Sequence, residues 1–401
     1  MEEFTREIDR SHSASMKWEQ IQDLDDHTKW LRTDCYFGEN RTLPMWVADM
    51  DFCCPAEVTE ALTKRVAHGI FGYSFITPDY LQAVAGWMKR RHGWNIEQNW
   101  IVTCPGVVPA LHMLVQALSA KTGKVLVQRP VYYPFFSAIE QNGKLLVSNS
   151  LQDTGDSYLM DFDDLRQKAG DPQTNLIILC NPHNPVGRVW AKEELLEFGR
   201  ICRKNGLIVI ADEIHGDLIM PGSTFTPFAS LEDFGNFTIT CTAPSKTFNL
   251  AGLQASNIII ENKDLREAFQ GILKKNGLSR INLLGMTAGQ AAYNHGGAWL
   301  ERLITYLDGQ LDYLEKFFRE ELPSIKMYRP QGTYLVWLDF RLVENDHLVL
   351  RRKFLAEAKL FLDDGFIFGL EGRGFQRLNI ACPPSILREA MARIKKTFQT
   401  V

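Results

Sequence analysis

Short apolar runs alternate with longer amphipathic stretches from about residue 99 onward. The runs are WIVTC, KVLVQ, KLLVS, NLIILC, LIVIAD, FTITC and SNIIIE. They are rich in aliphatic, mostly β-branched residues, which favour strands. Strands separated by helical stretches are typical of a mostly parallel sheet with helices on both faces. Ligands of such sheets bind at the loops that follow the carboxyl ends of the strands, so candidate site residues are expected there.

The pattern changes beyond residue 286, where long helical stretches are followed by the strand-like runs TYLVWLDF and FQRLNIACPP. A closing helix after Pro383 and Pro384 carries a core-facing stripe at Ile386, Leu387, Ala390, Met391 and Ile394. The 401 residues exceed what a single hydrophobic core usually supports. We therefore predict an α/β fold with a large domain over residues 49–285 and a smaller α+β domain over residues 286–401. Residues 1–48 are expected to pack with the smaller domain.

Composition and charge narrow the classes of partner. The net charge of −4 comes without a basic stripe for nucleic acid or an anionic membrane, and no apolar run is long enough to span a bilayer. The eight cysteines are scattered without a C-x-x-C pair, which is typical of reduced residues in the cytoplasm. The stretch MEEFTREIDRSHSASMKWEQ lacks the apolar core of an export signal. We expect a cytoplasmic protein that binds a small molecule.

Unusual residues follow four of the predicted strands. Gly106 comes after IVTC and before a helical stretch whose first N–H groups are suited to bind phosphate. The loop NPHNPVGR follows NLIILC, Asp212 is the first polar residue after LIVIA, and Lys246 follows FTITC. Taken singly, each has an ordinary explanation as a connecting turn, a stiff Asn-Pro loop or a helix N-cap. A buried carboxylate and a buried ammonium nevertheless both need partners.

Pyridoxal 5'-phosphate is one ligand that has a counterpart for all four groups. Its aldehyde condenses with a lysine, its ring nitrogen stays protonated opposite a carboxylate, and its phenolic oxygen and phosphate accept hydrogen bonds. A metal site is disfavoured because His215 has no second histidine at helical spacing and there is no cysteine cluster. We therefore predict pyridoxal phosphate as the cofactor and no metal.

A series of motifs resembles, in order along nearly the whole chain, the fold type I pyridoxal-phosphate enzymes. These motifs are LPMWVADMDF, GIFGYS, PGVVPAL, RPVYYPFF, CNPHNPVGR, ADEIHGDL, APSKTFNLAGLQAS, GTYLVWLDF and RLNIACP. The chain most resembles the cystathionine β-lyase, or carbon-sulfur lyase, branch of the class I and II aminotransferase superfamily. The resemblance implies the pyridoxal-phosphate-dependent transferase fold and a homodimer with shared active sites. It also implies β-elimination at L-cysteine thioethers, cystathionine or other cysteine S-conjugates, to give a thiol, pyruvate and ammonia.

The resemblance also implies roles for individual residues. The implied catalytic residues are Lys246, Asp212, Tyr132 and Tyr133. The implied cofactor ligands are Gly106, Val107, Val108, Tyr132, Asn184, Asp212, His215, Ser245, Lys246 and, from a neighbouring subunit, Tyr73. The implied substrate ligands are Arg377, Tyr133 and Asn184.

Within these sets the resemblance gives each group a counterpart on the cofactor or substrate. Lys246 is implied to condense with the cofactor and Asp212 to face its ring nitrogen, and Asn184 and His215 are implied to lie at its phenolic oxygen. One tyrosine of the pair after RPV is implied to stack on the ring, and which of the two does so stays open. Arg377 is implied to bind the substrate's α-carboxylate as a bidentate fork.

The sequence leaves two alternatives to the lyase open. Many related aminotransferases have a phosphate-binding arginine eight residues after the lysine, where this chain has Gln254. The difference favours a lyase, and an aminotransferase stays the alternative. A regulatory protein that uses the fold to bind a partner is the second alternative, although no helix-turn-helix segment or basic arm is evident before residue 40.

Overall fold

A computed structural model of the chain describes residues 2–24, 26, 29–32, 42–120, 123–278 and 280–399. The helices are α1 (Met16–Glu19), α2 (Ala56–Ala67), α3 (Pro78–His92), α4 (Val107–Leu118), α5 (Pro134–Glu140), α6 (Phe162–Ala169), α7 (Lys192–Lys204), α8 (Pro244–Thr247), α9 (Lys263–Lys275), α10 (Leu283–His295), α11 (Gly297–Glu321), α12 (His347–Arg352) and α13 (Pro384–Phe398). The strands are β1 (Gln20–Gln22), β2 (Trp30–Arg32), β3 (Leu43–Pro44), β4 (Ile101–Cys104), β5 (Lys124–Val127), β6 (Leu145–Ser148), β7 (Gln152–Asp153), β8 (Tyr158–Leu159), β9 (Thr174–Cys180), β10 (Ile208–Asp212), β11 (Thr238–Thr242), β12 (Ser256–Ile259), β13 (Lys326–Tyr328), β14 (Leu335–Asp339), β15 (Leu360–Phe361), β16 (Asp363–Asp364) and β17 (Phe375–Asn379).

A seven-stranded sheet in the order β4-β12-β11-β10-β9-β5-β6 forms the centre of the larger part of the molecule. Its strands are the seven apolar runs of the sequence, so the predicted mostly parallel sheet is confirmed. Only β12 runs antiparallel to its two neighbours. The carboxyl ends of β4, β5, β9, β10 and β11 therefore meet at one edge of the sheet.

The sheet is buried on both faces because successive side chains of a strand point in opposite directions. Ile178 and Ile210 pack on one face with Leu111 of α4 and Phe269 of α9. Ile177, Val209 and Leu179 pack on the other face with Leu165 of α6 and Phe198 of α7. Burial on both faces explains why the central strands β9, β10 and β11 are continuous apolar runs rather than alternating ones; the edge strand β6 is partly exposed.

A smaller antiparallel sheet in the order β13-β14-β17-β16 lies in the C-terminal part. Five side chains of the predicted stripe on α13 are buried, as expected: Ile386, Leu387, Ala390, Met391 and Ile394. The amino-terminal segment contacts this part, since β3 pairs in parallel with β15.

The division into segments at residues 48 and 285 stays a prediction. The second boundary falls within α10, which packs against α2 and α3. In the part of the chain that the structure describes, no helix is both long and apolar enough to cross a membrane.

Candidate active site

Three neighbouring strand ends bring Asn184, Asp212 and Lys246 to one edge of the large sheet. Asp212 is the last residue of β10 and pairs in register with Cys180 of β9 and Cys241 of β11. The loop after β9 carries Asn184, and α8, which follows β11, carries Lys246. Because the three strands are parallel, their carboxyl ends lie level with each other. The residues that the sequence placed after separate strands are thus neighbours in space.

Asp212 is a buried carboxylate with few groups nearby that stabilise its negative charge. Its Oδ1 accepts a hydrogen bond of 3.2 Å from the backbone N–H of Ile214. Burial raises the pKa of Asp212 to about 7, although this hydrogen bond and the charge of Lys246 act in the opposite direction. A carboxylate in this position favours a partner that is cationic or donates a proton.

Lys246 is half-buried and bonded to the backbone of an amino-terminal segment. Its Nζ donates to the carbonyl oxygen of Ala48 at 2.7 Å, and the same oxygen accepts from the hydroxyl of Tyr334 at 2.9 Å. Burial lowers the pKa of Lys246 to about 8; Arg377 adds to this effect, and Asp49 opposes it. A substantial fraction of this amine is neutral near physiological pH, which suits a nucleophile or a general base.

The segment from residue 45 to residue 52, within the motif LPMWVADMDF, passes between Lys246 and β17. Two asparagines fix its backbone. Asn379 donates to the carbonyl oxygens of Val47 at 2.6 Å and Asp49 at 2.7 Å, and Asn249 donates to those of Met50 and Phe52, each at 2.9 Å. This bonding holds the carbonyl group that receives the Lys246 amine.

His215 lies in the same buried region with one ring nitrogen available. Its Nδ1 has no hydrogen-bond partner among the described residues. Burial lowers the pKa of His215 well below the usual value, as do the charges of Lys246 and Arg377, so the imidazole is neutral. Its ring lies edge-on to Tyr334, with 6.1 Å between the ring centroids. No sequence pattern pointed to Tyr334 itself, although it lies in the motif GTYLVWLDF.

Arg377 connects the smaller sheet to the loop after β9. Its Nη1 donates to Oδ1 of Asn184 and its Nη2 to the carbonyl oxygen of Trp46, both at 2.9 Å. Nη2 also forms an ion pair with Asp363 on the adjacent strand β16. The Nε atom of Arg377 has no hydrogen-bond partner in the described part of the chain. Asp363 was not among the residues expected from the sequence.

Tyr132 and Tyr133 follow β5 at the same edge of the sheet. Their ring centroids lie 5.4 Å apart; Tyr132 is half-buried, and Tyr133 is 37% exposed. Burial raises the pKa of Tyr132; the charge of Asp212 adds to this rise and the charge of Arg377 opposes it. Burial also raises the pKa of Tyr133 to about 12. Both phenols therefore keep their protons at neutral pH, and Tyr132 is the one whose pKa responds to Asp212.

The start of α4 follows β4 at the same edge of the sheet. Gly106 is the N-cap of α4, and Val107 and Val108 begin the helix. A Cβ atom at Gly106 would lie 3.3 Å from Cδ of Pro109, tighter than ordinary packing. The first N–H groups of a helix have no acceptor within the helix and favour an anion. Ser245, the second residue of α8, is half-buried.

Tyr73 lies apart from the other candidate residues within the single chain. It is fully exposed between α2 and α3, next to the exposed side chains of Ile70, Phe71 and Phe75. The structure of one chain therefore does not bring it to the site.

The remaining groups fit pyridoxal phosphate by their chemistry. A buried carboxylate with a raised pKa suits a protonated ring nitrogen, an amine with a lowered pKa suits an aldehyde, and a helix start suits a phosphate. Within the described ranges, no group of three or more His, Cys, Asp and Glu side chains is arranged to hold a metal ion.

Known proteins of one family are similar to this chain over nearly its whole length. The family model described as aminotransferase class I and II matches residues 45–394. Cystathionine beta-lyase PatB of Bacillus subtilis (strain 168) is 47% identical over 370 residues, which cover 92% of this chain and 95% of PatB.

Solved structures of two bacterial proteins have the same fold. The structure of cystalysin from Treponema denticola, which contains pyridoxal 5'-phosphate, matches with a TM-score of 0.92 and 37% identity and covers 99% of this chain and 98% of its own. The pyridoxal-phosphate-bound C-S lyase from Staphylococcus hominis matches with a TM-score of 0.88 and 32% identity, and the match covers 98% of this chain and 97% of that chain. The predicted transferase-like fold is therefore confirmed.

Proposed function

The chain belongs to the aminotransferase class I and II family, and we propose that it is a pyridoxal-phosphate-dependent carbon-sulfur lyase. The reaction is β-elimination at L-cysteine thioethers, with cystathionine or another cysteine S-conjugate as substrate. The products are a thiol, pyruvate and ammonia. The observation that carries this assignment is the 47% identity to a cystathionine beta-lyase over 92% of the chain, because aminotransferases and lyases of this fold need similar site residues.

The cofactor is pyridoxal phosphate, and we assign its contacts to the residues at the edge of the large sheet. The N–H groups at the start of α4 and the hydroxyl of Ser245 would hold the phosphate. Asp212 would face the ring nitrogen, Asn184 and His215 would lie at the phenolic oxygen, and Lys246 would be the amine that holds the aldehyde carbon. The contacts described above support each assignment by the charge and hydrogen-bonding capacity of the protein group.

Lys246 and Arg377 are the two residues that we assign to proton abstraction and to binding of the substrate's carboxylate. When bound, pyridoxal phosphate provides an electron sink that stabilises negative charge at the α-carbon of an amino acid. Arg377 binds and orients the α-carboxylate. Lys246, with its pKa lowered to about 8, takes the proton from the α-carbon.

We assign the two tyrosines as candidate proton donors to the leaving group. Because the pKa values of Tyr132 and Tyr133 are raised, either phenol is available to donate a proton to the leaving sulfur atom. Proton transfer to the sulfur atom as the C–S bond breaks lets the leaving group depart as a neutral thiol. The released enamine product hydrolyses to pyruvate and ammonia.

We also assign a homodimer in which Tyr73 completes the site of the opposite subunit. The exposed apolar side chains of Ile70, Phe71, Tyr73 and Phe75 support this assembly, because a contiguous apolar surface favours a protein contact. A two-fold dimer places the same segment of each chain at its interface.

Mixing two inactive variants tests whether the site is shared. A dimer of one Lys246→Ala chain and one Tyr73→Ala chain has one site with neither substitution and should recover activity. A dimer of Lys246→Ala and Asp212→Asn chains has a substitution in both sites and is the matched control. Failure of the first mixture to recover, despite demonstrated subunit exchange and an inactive Tyr73→Ala parent, would contradict sharing.

The cysteines support a cytoplasmic location, which stays a prediction. All seven described cysteines are free, and five of them are buried. Free thiols are typical of proteins in a reducing compartment. Cys35 lies outside the described residues.

The decisive assay uses cystathionine without any keto acid. A lyase regenerates its starting form in every cycle, so we expect many equivalents of pyruvate and free thiol per site. An aminotransferase without a keto acid stops after one half-reaction and leaves its cofactor in the amine form. If the enzyme forms about one equivalent of product per site and then shows the spectrum of the amine form, the lyase assignment is wrong and the protein is an aminotransferase. The Lys246→Ala variant controls for turnover that does not depend on the site.

A further inference from the structure

A buried carboxylate of the protein already occupies part of the fork that we assign to the substrate's carboxylate. Asp363 of β16 lies directly opposite Arg377 of β17 in the antiparallel register. The two side chains form an ion pair through Nη2 of Arg377 and Oδ2 of Asp363, and they are only 3% and 6% exposed. The positive charge of the fork is therefore balanced before any substrate arrives.

The ion pair faces the candidate site. The charge of Asp363 raises the pKa of both Tyr132 and Tyr133, so its carboxylate lies near the two phenols expected at the ring and the leaving group. The guanidinium also packs against Phe368, with 4.9 Å from Cζ to the ring centroid, and the Phe368 ring contacts Tyr133 at a centroid distance of 5.8 Å. Asp363 thus lies beside the Arg377 guanidinium, the proposed receptor of the substrate's carboxylate, and near the two tyrosines.

One N–H donor of the Arg377 guanidinium, at Nε, is not used by hydrogen bonds in the part of the chain that the structure describes. Arg377 donates to Asn184 through Nη1 and to Trp46 and Asp363 through Nη2, whereas Nε has no partner among the described residues. A guanidinium binds a carboxylate best through two parallel N–H groups. Since either two-donor edge of the guanidinium includes Nη2, a second carboxylate bound in this way must share Nη2 with Asp363 and the Trp46 carbonyl oxygen or displace one of them.

We propose that Asp363 competes with the substrate's α-carboxylate for Arg377 and so determines how tightly this enzyme binds carboxylate ligands. The inference rests on the proposed role of Arg377 as the receptor of that carboxylate. Two carboxylates on one guanidinium repel each other in a poorly solvated site. The negative charge of Asp363 therefore opposes binding of the substrate's carboxylate. Removing that charge while keeping the side chain's size should strengthen binding.

The probe for this competition is 3-(methylthio)propanoate, a thioether carboxylate without an amino group. It cannot replace Lys246 on the cofactor, so its dissociation constant, measured by calorimetry on the holoenzyme, reports binding separately from turnover. We expect Asp363→Asn to bind the probe at least about tenfold more tightly than the wild type, given a close pair of like charges. The uncharged amide of the probe should bind both proteins equally.

Asp364→Asn is the matched control. Asp364 is the adjacent aspartate on β16, and it forms an ion pair with Arg351 and accepts from Gln376 at 2.9 Å. We expect its substitution to leave the affinity for the probe within about twofold, because Arg351 and Gln376, and not Arg377, are the partners of its carboxylate. A similar gain in both variants would overturn the proposal, since it would reflect the general charge of the site.

The wild type provides a second measurement if Asp363→Asn does not fold. The charged and titratable groups that act on Asp363 or respond to it are Arg377, Tyr132, Tyr133 and Asp364. Burial raises the pKa of Asp363 to about 6, with Arg377 opposing the shift, whereas the phenols stay neutral in this range. Affinity for the probe should therefore rise as the pH falls through 6, and an Asp363→Ser variant should lose this dependence.

The results separate this inference from the proposed function. Weaker or unchanged binding by Asp363→Asn would show that Asp363 only orients the guanidinium, and the competition would be excluded. If Arg377→Gln also leaves binding of the probe unchanged, the assignment of Arg377 as carboxylate receptor fails. If the probe binds as expected but cystathionine is not cleaved, the competition stands and the lyase assignment fails.

Discussion

Asp212 should make the cofactor-free protein lose stability as the pH rises. Its carboxylate is buried with the Ile214 N–H as the hydrogen-bond donor found in the structure, and burial raises its pKa from 3.8 to about 7. A group whose pKa is raised on folding contributes stability that is fully present below the pKa of the unfolded chain. That stability is lost as the pH rises through the pKa of the folded state. The window for Asp212 therefore runs from about pH 4 to about pH 7.

The size of this effect follows from the two pKa values. Each pKa unit is worth about 1.4 kcal/mol, so the ionised carboxylate costs the cofactor-free protein roughly 4 kcal/mol above pH 7. An Asp212→Asn substitution removes this cost and keeps an oxygen that can accept from Ile214. Its buried NH₂ group then lacks an acceptor, at a cost of about 1–3 kcal/mol.

The expected signature is a difference that grows with pH. We expect Asp212→Asn to have nearly the same free energy of unfolding as the wild type at about pH 5, and to be about 1–3 kcal/mol more stable at about pH 8. In the holoenzyme the same substitution should weaken binding of pyridoxal phosphate, because the partner of its ring nitrogen is lost. The Asp212 carboxylate would then lower the stability of the cofactor-free protein and strengthen binding of the cofactor.

Urea unfolding of the cofactor-free proteins across this pH range measures the difference, and absorbance titration measures binding of the cofactor. Asp217→Asn is the matched control. Asp217 is also buried, but it accepts hydrogen bonds from Trp87 at 3.0 Å, His92 at 2.8 Å and Thr247 at 2.7 Å. Although burial opposes the shift, these partners lower its pKa. Asp217→Asn should therefore destabilise the protein by the same amount from pH 5 to pH 8, because this loss shrinks only when the pH falls below the ordinary carboxyl pKa of 3.8.

A constant loss of stability in Asp212→Asn from pH 5 to pH 8 would refute the reasoning. It would mean that the Asp212 carboxylate is solvated or compensated in the cofactor-free protein. Tighter binding of pyridoxal phosphate by the variant would contradict the assignment of Asp212 to the ring nitrogen.

Three further substitutions follow from other contacts. Lys246→Ala should abolish turnover and prevent borohydride from fixing the cofactor to the chain; retained labelling after dialysis would move the attachment site elsewhere. Arg377→Gln should raise KM for an amino-acid substrate by roughly 100-fold or more and also lower kcat, as expected for a lost charge-assisted bidentate contact that orients the substrate; steady-state kinetics measure both. Lys17→Met should lower the free energy of unfolding by about 3–5 kcal/mol at pH 7, because the Lys17 ammonium is 1% exposed and lies 2.6 Å from Asp51. Denaturation curves that match the wild type would show that Arg10, which also pairs with Asp51, compensates fully.

The strands and the residues that follow them could be predicted because both are local features. A buried parallel strand is a continuous apolar run whatever its neighbours are, and the antiparallel β12 and the partly exposed edge strand β6 are short apolar runs as well. All seven strands of the large sheet were therefore evident. The polar residue that ends such a run lies at the carboxyl edge of the sheet, where ligands bind. This reasoning found Asp212, Lys246 and the loop of Asn184 without knowledge of the strand order. The role of each residue came from the resemblance of the motifs rather than from the pattern.

Long-range packing decided the remaining contacts of the site. The Lys246 amine meets the carbonyl oxygen of Ala48, 198 residues away, and Arg377 meets Asn184, 193 residues away. A backbone carbonyl has no side-chain signature, so no pattern could single out Ala48. Likewise, the run LDDG contains two adjacent acids, and only the register of β16 against β17 sets Asp363 opposite Arg377.

The sequence by itself therefore determined the type of fold, the cofactor and the residues at the strand ends, because local periodicity and residue chemistry are sufficient for these. The tertiary structure alone decided which charges share a buried space. A pKa depends on burial and on neighbours that come from distant segments, which is why Asp212 and Asp217, five positions apart on one chain, have pKa values shifted in opposite directions.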